Sequence, residues 1–215
     1  MNTLQSTIDH LVIGANTLEE GRNYVHQMLG IFPEPGGVHK KMGTHNCLLK
    51  LGPSVYLEVI AINQDGPKPG RPRWFGLDTF RTSSKPRLIT WVVRTNDIQE
   101  ATTQSKFNSG EIVAMSRGNL EWLISVPVDG GMPLQGIAPA LIQWKTNLHP
   151  AVSLAESGCT LLRMEGCHPN AEIINEFLFS IGFEGAFRAQ KPDEGVMPSL
   201  IAYINTPGGI RKLVS

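Results

Sequence analysis

The sequence predicts an α+β fold built from repeated βαβββ units, on three observations. Apolar runs of strand length alternate with two helix-like segments that close on Gly30 and Gly110. The order strand, helix, strands begins near residue 7 and begins again near residue 88. The last strand of the first unit carries a carboxylate, Glu58, inside the apolar run Val55-Tyr56-Leu57-Glu58-Val59-Ile60.

Residues 7–13 form the first strand and include Asp9 and His10. A helix is expected over 17–28, with Asn16 or Thr17 as N-cap, Glu19 and Glu20 favourable in the first turn, and Gly30 as terminator. A glycine-rich passage, 33–43, leads to a hairpin of strands 45–51 and 54–62 joined by Gly52-Pro53. With residue 51 opposite 54, residue 47 falls opposite 58 and 45 opposite 60. Alternation then sends His45, Cys47, Tyr56 and Glu58 to one face. A buried carboxylate needs a partner. His10, His45 and Glu58 together are the inventory of a metal or acid/base site.

The stretch 64–73 is saturated with Gly and Pro and reads as a loop. Strand 88–94 follows, then a helix capped by Asp97 and running to about 106. Strands at 111–117 and 120–127 turn at Gly118-Asn119, and 140–144 is the fourth strand. Overlaying the two units sets Trp91 at the place of His10 and Gln143 at the place of Glu58. A third echo has strand 160–164, a helix begun by Pro169 and ended at Gly182, and strands near 184–189 and 199–205.

Nineteen basic and nineteen acidic residues balance, and only 18% of the chain is charged, so nothing suggests a surface that tracks phosphates. Nucleic acid is therefore not an expected partner. The apolar runs are strand-sized and no signal peptide is visible, so neither a membrane span nor export is expected. Three cysteines without a close pair fit a reducing, cytoplasmic setting.

The unit with Asp9-His10 in its first strand and Leu57-Glu58 in its fourth resembles the vicinal oxygen chelate superfamily, which includes glyoxalase I, bleomycin-resistance proteins and extradiol dioxygenases. The stretches Gly36-Gly37-Val38-His39, Gly43-Thr44-His45-Asn46 and Arg71-Pro72-Arg73-Trp74-Phe75 look like its glyoxalase-like-domain branch. The resemblance implies curved mixed sheets around a cavity, helices outside, and a two-module domain over 1–150. Residues 151–215 are expected to form a C-terminal βαββ extension, which repetition alone suggests as a partial third module. It also implies small-molecule chemistry of isomerase, lyase or dioxygenase type on a divalent ion (Zn, Fe, Mn or Ni). The alternative is a metal-free sequestering protein of the bleomycin-resistance type. A homodimer is left open.

Under that resemblance the ligands would be His10 and Glu58, with His45 as third member or as a turn-stabilising residue. Glu58 and His10 are also the catalytic candidates, Glu58 serving as base if no metal is held. His39 would contact substrate at the cavity rim. Arg73 and Trp74 lie in a loop suited to closing over an anionic or planar ligand, or to anchoring itself by its aromatics. Trp91 and Gln143, where the superfamily places its second pair of ligands, would line the cavity as wall. His26, His149 and His168 read as structural or solvated, and Cys47 as a small buried hydrophobe.

Overall fold

In the computed structural model, which describes residues 3–215, the first unit comprises β1 (Ser6–Gly14), α1 (Leu18–Leu29), β2 (Glu34–His39), β3 (Thr44–Lys50) and β4 (Tyr56–Ile62). Helix α1 starts and stops as its sequence dictates. Thr17 Oγ1 accepts from the Glu20 amide, and Gly30 takes the left-handed conformation with its amide donating to the His26 carbonyl. Strand β2 arises from the Gly-Gly stretch expected to be a connection, and its pairing with β3 is irregular between Pro35 and Val38.

The second unit repeats the plan with β5 (Arg87–Thr95), α2 (Ile98–Thr103), β6 (Glu111–Arg117), β7 (Leu120–Val126) and β8 (Ala140–Trp144). Asp97 caps α2 by accepting from the Glu100 amide, though the helix stops at Thr103, short of the expected 106. The strands join in one sheet of order β2-β3-β4-β1-β5-β8-β7-β6. In each unit the fourth strand lies parallel to the first, and β1 meets β5 antiparallel, so a local two-fold relates the halves. The sheet curls until its ends meet. Lys41 Nζ, in the β2–β3 turn, donates to the Ala114 carbonyl of β6 at 3.0 Å.

Beyond residue 150 come α3 (Pro150–Ser153), β9 (Thr160–Cys167), α4 (Ala171–Ser180), β10 (Phe183–Glu184), β11 (Phe187–Gln190), β12 (Ser199–Thr206) and β13 (Gly209–Val214). This segment departs from the repeat. Its own sheet runs β11-β9-β12-β13 with β11 parallel to β9 across α4, while β10 adds to β1 of the large sheet. It covers the outer face of the central strands. Leu11, Trp91 and Val93 share a core there with Val25 of α1, Phe177 of α4, and Met164, Ala202 and Leu213 of the small sheet. The inner face forms a separate core, with Val12, Ile60, Val92, Trp122, Ile124 and Ile142.

Helix α1 rests on β4 through Gly21, where an added Cβ would stand 2.3 Å from Val59 Cγ1. Alanine is the better helix former by about 1 kcal/mol, yet overpacking typically costs about 1–3 kcal/mol. Gly21→Ala should therefore lower stability in urea unfolding despite its helix propensity, and it should push on the strand that carries Glu58.

Candidate functional site

The site begins with one extra residue in β1. Against β5, Ile8 pairs with Val93 and His10 with Val92, leaving Asp9 as a bulge. Adjacent residues of a strand normally face opposite ways, but the bulge turns both Asp9 and His10 inward and returns Leu11 to the outer core. Asp9 is fully buried. Its Oδ1 lies 2.7 Å from His10 Nδ1, and its Oδ2 accepts from Trp144 Nε1 at 2.9 Å and from His149 Nε2 at 3.0 Å, with the Arg94 guanidinium 3.6 Å away. His149 Nδ1 accepts from the Ala151 amide, so its hydrogen sits on Nε2 and points at Asp9. Burial alone would raise the Asp9 carboxyl, but the hydrogen bonds from His10 and His149 outweigh it and hold Asp9 well below the usual carboxylate range. An ionised Asp9 keeps the His10 hydrogen on Nδ1 and leaves Nε2 facing Glu58.

Glu58 reaches the same point from β4. Its Oε2 is 3.6 Å from His10 Nε2, and its Oε1 accepts from Asn46 Nδ2 at 2.5 Å. The Asn46 amide is oriented by its other end: Oδ1 accepts from the Gly37 amide at 2.8 Å and from Arg117 at 2.9 Å, so Nδ2 must turn to Glu58. Tyr56 stacks on His10 with ring centroids 4.6 Å apart. Burial, then the charges of Asp9 and Glu58, push its phenol well above its ordinary value. His39 is buried beside Thr44, with Nδ1 3.1 Å from Oγ1 and its ring edge-on to Trp74. Burial first, then the positive charges of Arg117, His10 and His45, pull it down to about 3.

These polar groups open on a narrow cavity walled by Trp74, Phe75, Trp122, Ile124, Ile142 and Trp144. Phe75 holds a left-handed backbone (φ 57°), which a bulky residue adopts only under constraint from its surroundings. The following Gly76 donates to the Gly130 carbonyl, locking this loop on the second unit. The buried Trp74 Nε1 has no acceptor among the described residues.

The structure brings together His10, Glu58, His39 and Trp74 of the expected residues, and separates the others. His45 and Cys47 lie on the opposite face of β3. Leu51 pairs with Val55, so the hairpin loop is Gly52-Pro53-Ser54, one residue longer than expected, and Glu58 faces Leu48. Trp91 points outward, donating to the Ile137 carbonyl and packing on Phe183 and Phe187. Gln143 also points outward, where it accepts from the Ile98 amide and donates to the Asn96 carbonyl. Neither is cavity wall; Val92, Ile142 and Trp144 hold the inward positions. Arg73 is tied to Asp78 at 2.6 Å at the loop surface. The residues that sequence reasoning passed over are Asp9, Asn46, Arg117 and His149. For Asp9 the signal was present, a second ionisable residue beside His10 in an apolar strand.

The expected divalent-ion set does not fit this geometry. With His45 on the far face, only His10 and Glu58 remain, and Nδ1 of His10 is committed to Asp9. Among the described residues no group of three or more His, Cys, Asp or Glu side chains is placed to hold a metal ion.

The model of the glyoxalase-like domain family matches residues 8–181. This chain belongs to that family. No curated protein matches its sequence. Among solved structures, a hypothetical protein from Staphylococcus aureus superposes with TM-score 0.59 at 14% identity, over 87% of this glyoxalase-like chain and 86% of the other. A mutant of 4-hydroxymandelate synthase from Streptomyces coelicolor gives TM-score 0.50 at 12% identity, over 98% and 62%. Methylmalonyl-CoA epimerase from Mycobacterium tuberculosis gives 0.42 at 17%, over 64% and 85%. These likenesses concern the fold. Among the described residues of this glyoxalase-like protein no helix is long and apolar enough to cross a membrane.

His39 supplies a pH test. Its folded value of about 3 lies below the ordinary 6.5, so the unfolded chain takes up the proton first as pH falls. Stability should be full above about pH 6.5 and decline progressively toward pH 3, with the depressed Asp9 adding to the loss at the acid end. Urea midpoints measured across that range should show the decline, and His39→Gln should flatten its upper part.

Proposed function

We propose that this glyoxalase-like protein carries out proton transfer on a small, flat molecule, with Glu58 and His10 as the proton-moving pair. One observation supports this reading above all: a buried carboxylate and a buried imidazole stand 3.6 Å apart at the end of an aromatic-walled cavity, each oriented by its own buried partner. Catalytic groups need fixed geometry and a water-poor setting, and both are supplied here.

The chemistry that fits is removal of a proton from a carbon next to a carbonyl. Glu58 Oε2 takes the proton, and the C–H electron pair becomes the C=C bond of an enolate as the carbonyl π pair moves to its oxygen. The proton returns from the Glu58–His10 pair to the same carbon or to a neighbouring one as the carbonyl re-forms or the double bond shifts. The Asn46 amide and Arg117 lie close enough to the pair to favour the developing negative charge. Asp9 sets the His10 tautomer and does not itself exchange the proton. The reaction class is isomerisation or epimerisation, and no step requires a metal ion.

A sequestering protein is the second reading. It is favoured by the asymmetry of the cavity, whose second-unit wall is Trp122, Ile124, Ile142 and Trp144 with Arg117 at the edge, and offers no carboxylate or imidazole to move a proton. Hydrogen–deuterium washout, followed by proton NMR, separates the two. A panel of small carbonyl acids is incubated with protein in D2O, and binding is measured alongside. Turnover predicts washout at the carbon next to the carbonyl for at least one bound compound, reduced on the order of 100-fold or more in Glu58→Gln and His10→Ala, the usual scale for a lost acid/base group. Tight binding without washout in wild type would favour sequestration. Washout that persists in both variants would remove Glu58 and His10 from the mechanism.

A further inference from the structure

Two glycines and an arginine stand where the curled sheet closes on itself, and the proton-transfer chemistry does not account for the glycines or for the unused donors of the arginine. Strands β2 and β6 are the two ends of the sheet order and do not pair with each other. Across their seam Arg117 of β6 reaches over Gly37 to Asn46 Oδ1. The seam is fitted to this reach. A Cβ at Gly37 would stand 2.7 Å from Arg117 Cδ, and one at Gly36 would stand 2.2 Å from Asn46 Oδ1. The Gly36-Gly37 pair therefore keeps open the strip of surface that Arg117 and Asn46 occupy.

The Arg117 guanidinium is half-buried, lines the cavity, and has one side-chain partner, a neutral amide oxygen. Among the described residues no carboxylate lies within ion-pair distance of it. Its charge bears on the cavity interior, since it helps depress His39 and it lowers Tyr56 against the burial that raises the phenol. A guanidinium has five N–H donors in a planar fork that matches a carboxylate in bidentate fashion, and a single amide oxygen uses little of that capacity.

We infer that Arg117 is the specificity-determining residue of this cavity: it gives up its bond to Asn46 to grip the anionic group of the substrate, so the site takes flat, largely apolar acids. The inference rests on the reading of this cavity as the place where a small molecule binds. The cavity between Arg117 and the Trp74, Trp122 and Trp144 walls is narrow, so an entering acid must take the place of the Arg117–Asn46 contact at its edge. Asn46 keeps its bond from the Gly37 amide, so Glu58 stays oriented while the arginine changes partner.

Phenylacetate and phenylacetamide test this directly, because they share a shape and differ in charge. Isothermal titration calorimetry on the full chain at neutral pH should show wild type binding the acid about tenfold or more tighter than the amide, the scale of one charge-assisted contact. Arg117→Gln should bring the two affinities together, and Gly37→Ala, which crowds the arginine rather than removing it, should narrow the preference in the same direction. Circular dichroism verifies that each variant is folded, and either folded variant alone decides the matter. Equal affinities in wild type, or an acid preference that survives in a folded variant, would overturn the role of Arg117 while leaving the cavity as a binding site. Failure of wild type to bind either compound would overturn both the inference and the reading beneath it.

Discussion

The site depends on a carboxylate that water does not reach. Asp9 is completely buried, and a buried charge persists only where donors surround it. Here they come from four places in the chain: His10 beside it, Arg94 on β5, Trp144 on β8 and His149 after the second unit. Removing any one leaves a charge under-satisfied, so the constraint fixes how the two halves of the sheet and the segment after them meet. The positions of His10 and Trp144 are consequences of that satisfaction.

The scaffold is symmetric and its chemistry is not. Both units place a fourth strand parallel to a first, yet ionised groups gather on the first unit's inner face, while the second contributes indoles and aliphatic side chains. Duplicated architecture can carry such a division because each strand exposes only alternate residues to the interior. A few substitutions on those alternate positions convert polar to apolar lining without touching the outer core. The single charged group that the second unit adds to the cavity lining, Arg117, comes from its edge strand, where the sheet closes.

Much of the architecture was legible in the sequence, because helix caps and apolar runs are local signals. Thr17 and Asp97 start helices through their side chains, Gly30 ends one through its left-handed backbone, and the repeat was visible in element order. Glu58, His10 and Trp74 were found because a carboxylate in an apolar strand and a Trp-Phe pair in a loop are conspicuous in themselves. The misplacements share one physical cause. His45 was turned inward by a hairpin loop one residue too short, Trp91 and Gln143 by an overlay displaced by one, and Asp9 was passed over because alternation allows only one of two neighbours to face in. In a structure with a period of two, a slip of one residue changes the face of everything after it. Bulges and loop lengths set that parity, and they depend on tertiary contacts that a single strand does not encode. Arg117 and His149 were missed for a related reason: they reach the site from 71 residues beyond Asn46 and 140 beyond Asp9.

That separation along the chain has a consequence for biogenesis. Strand β1 carries an aspartate that needs donors, but Trp144 and His149 leave the ribosome more than 130 residues after it. The strand also pairs with β10 near residue 183, and the sheet that shields its neighbours' outer face is completed by the Ser215 amide on Leu200. Until those segments have been made, β1 stays incomplete, with Asp9 hydrated rather than enclosed. Its consolidation waits on residues far along the chain, and is slow in the way that folds dominated by distant pairings are slow. A chaperone that shelters exposed strand edges would act during that interval, before β1 and its distant partners have found each other.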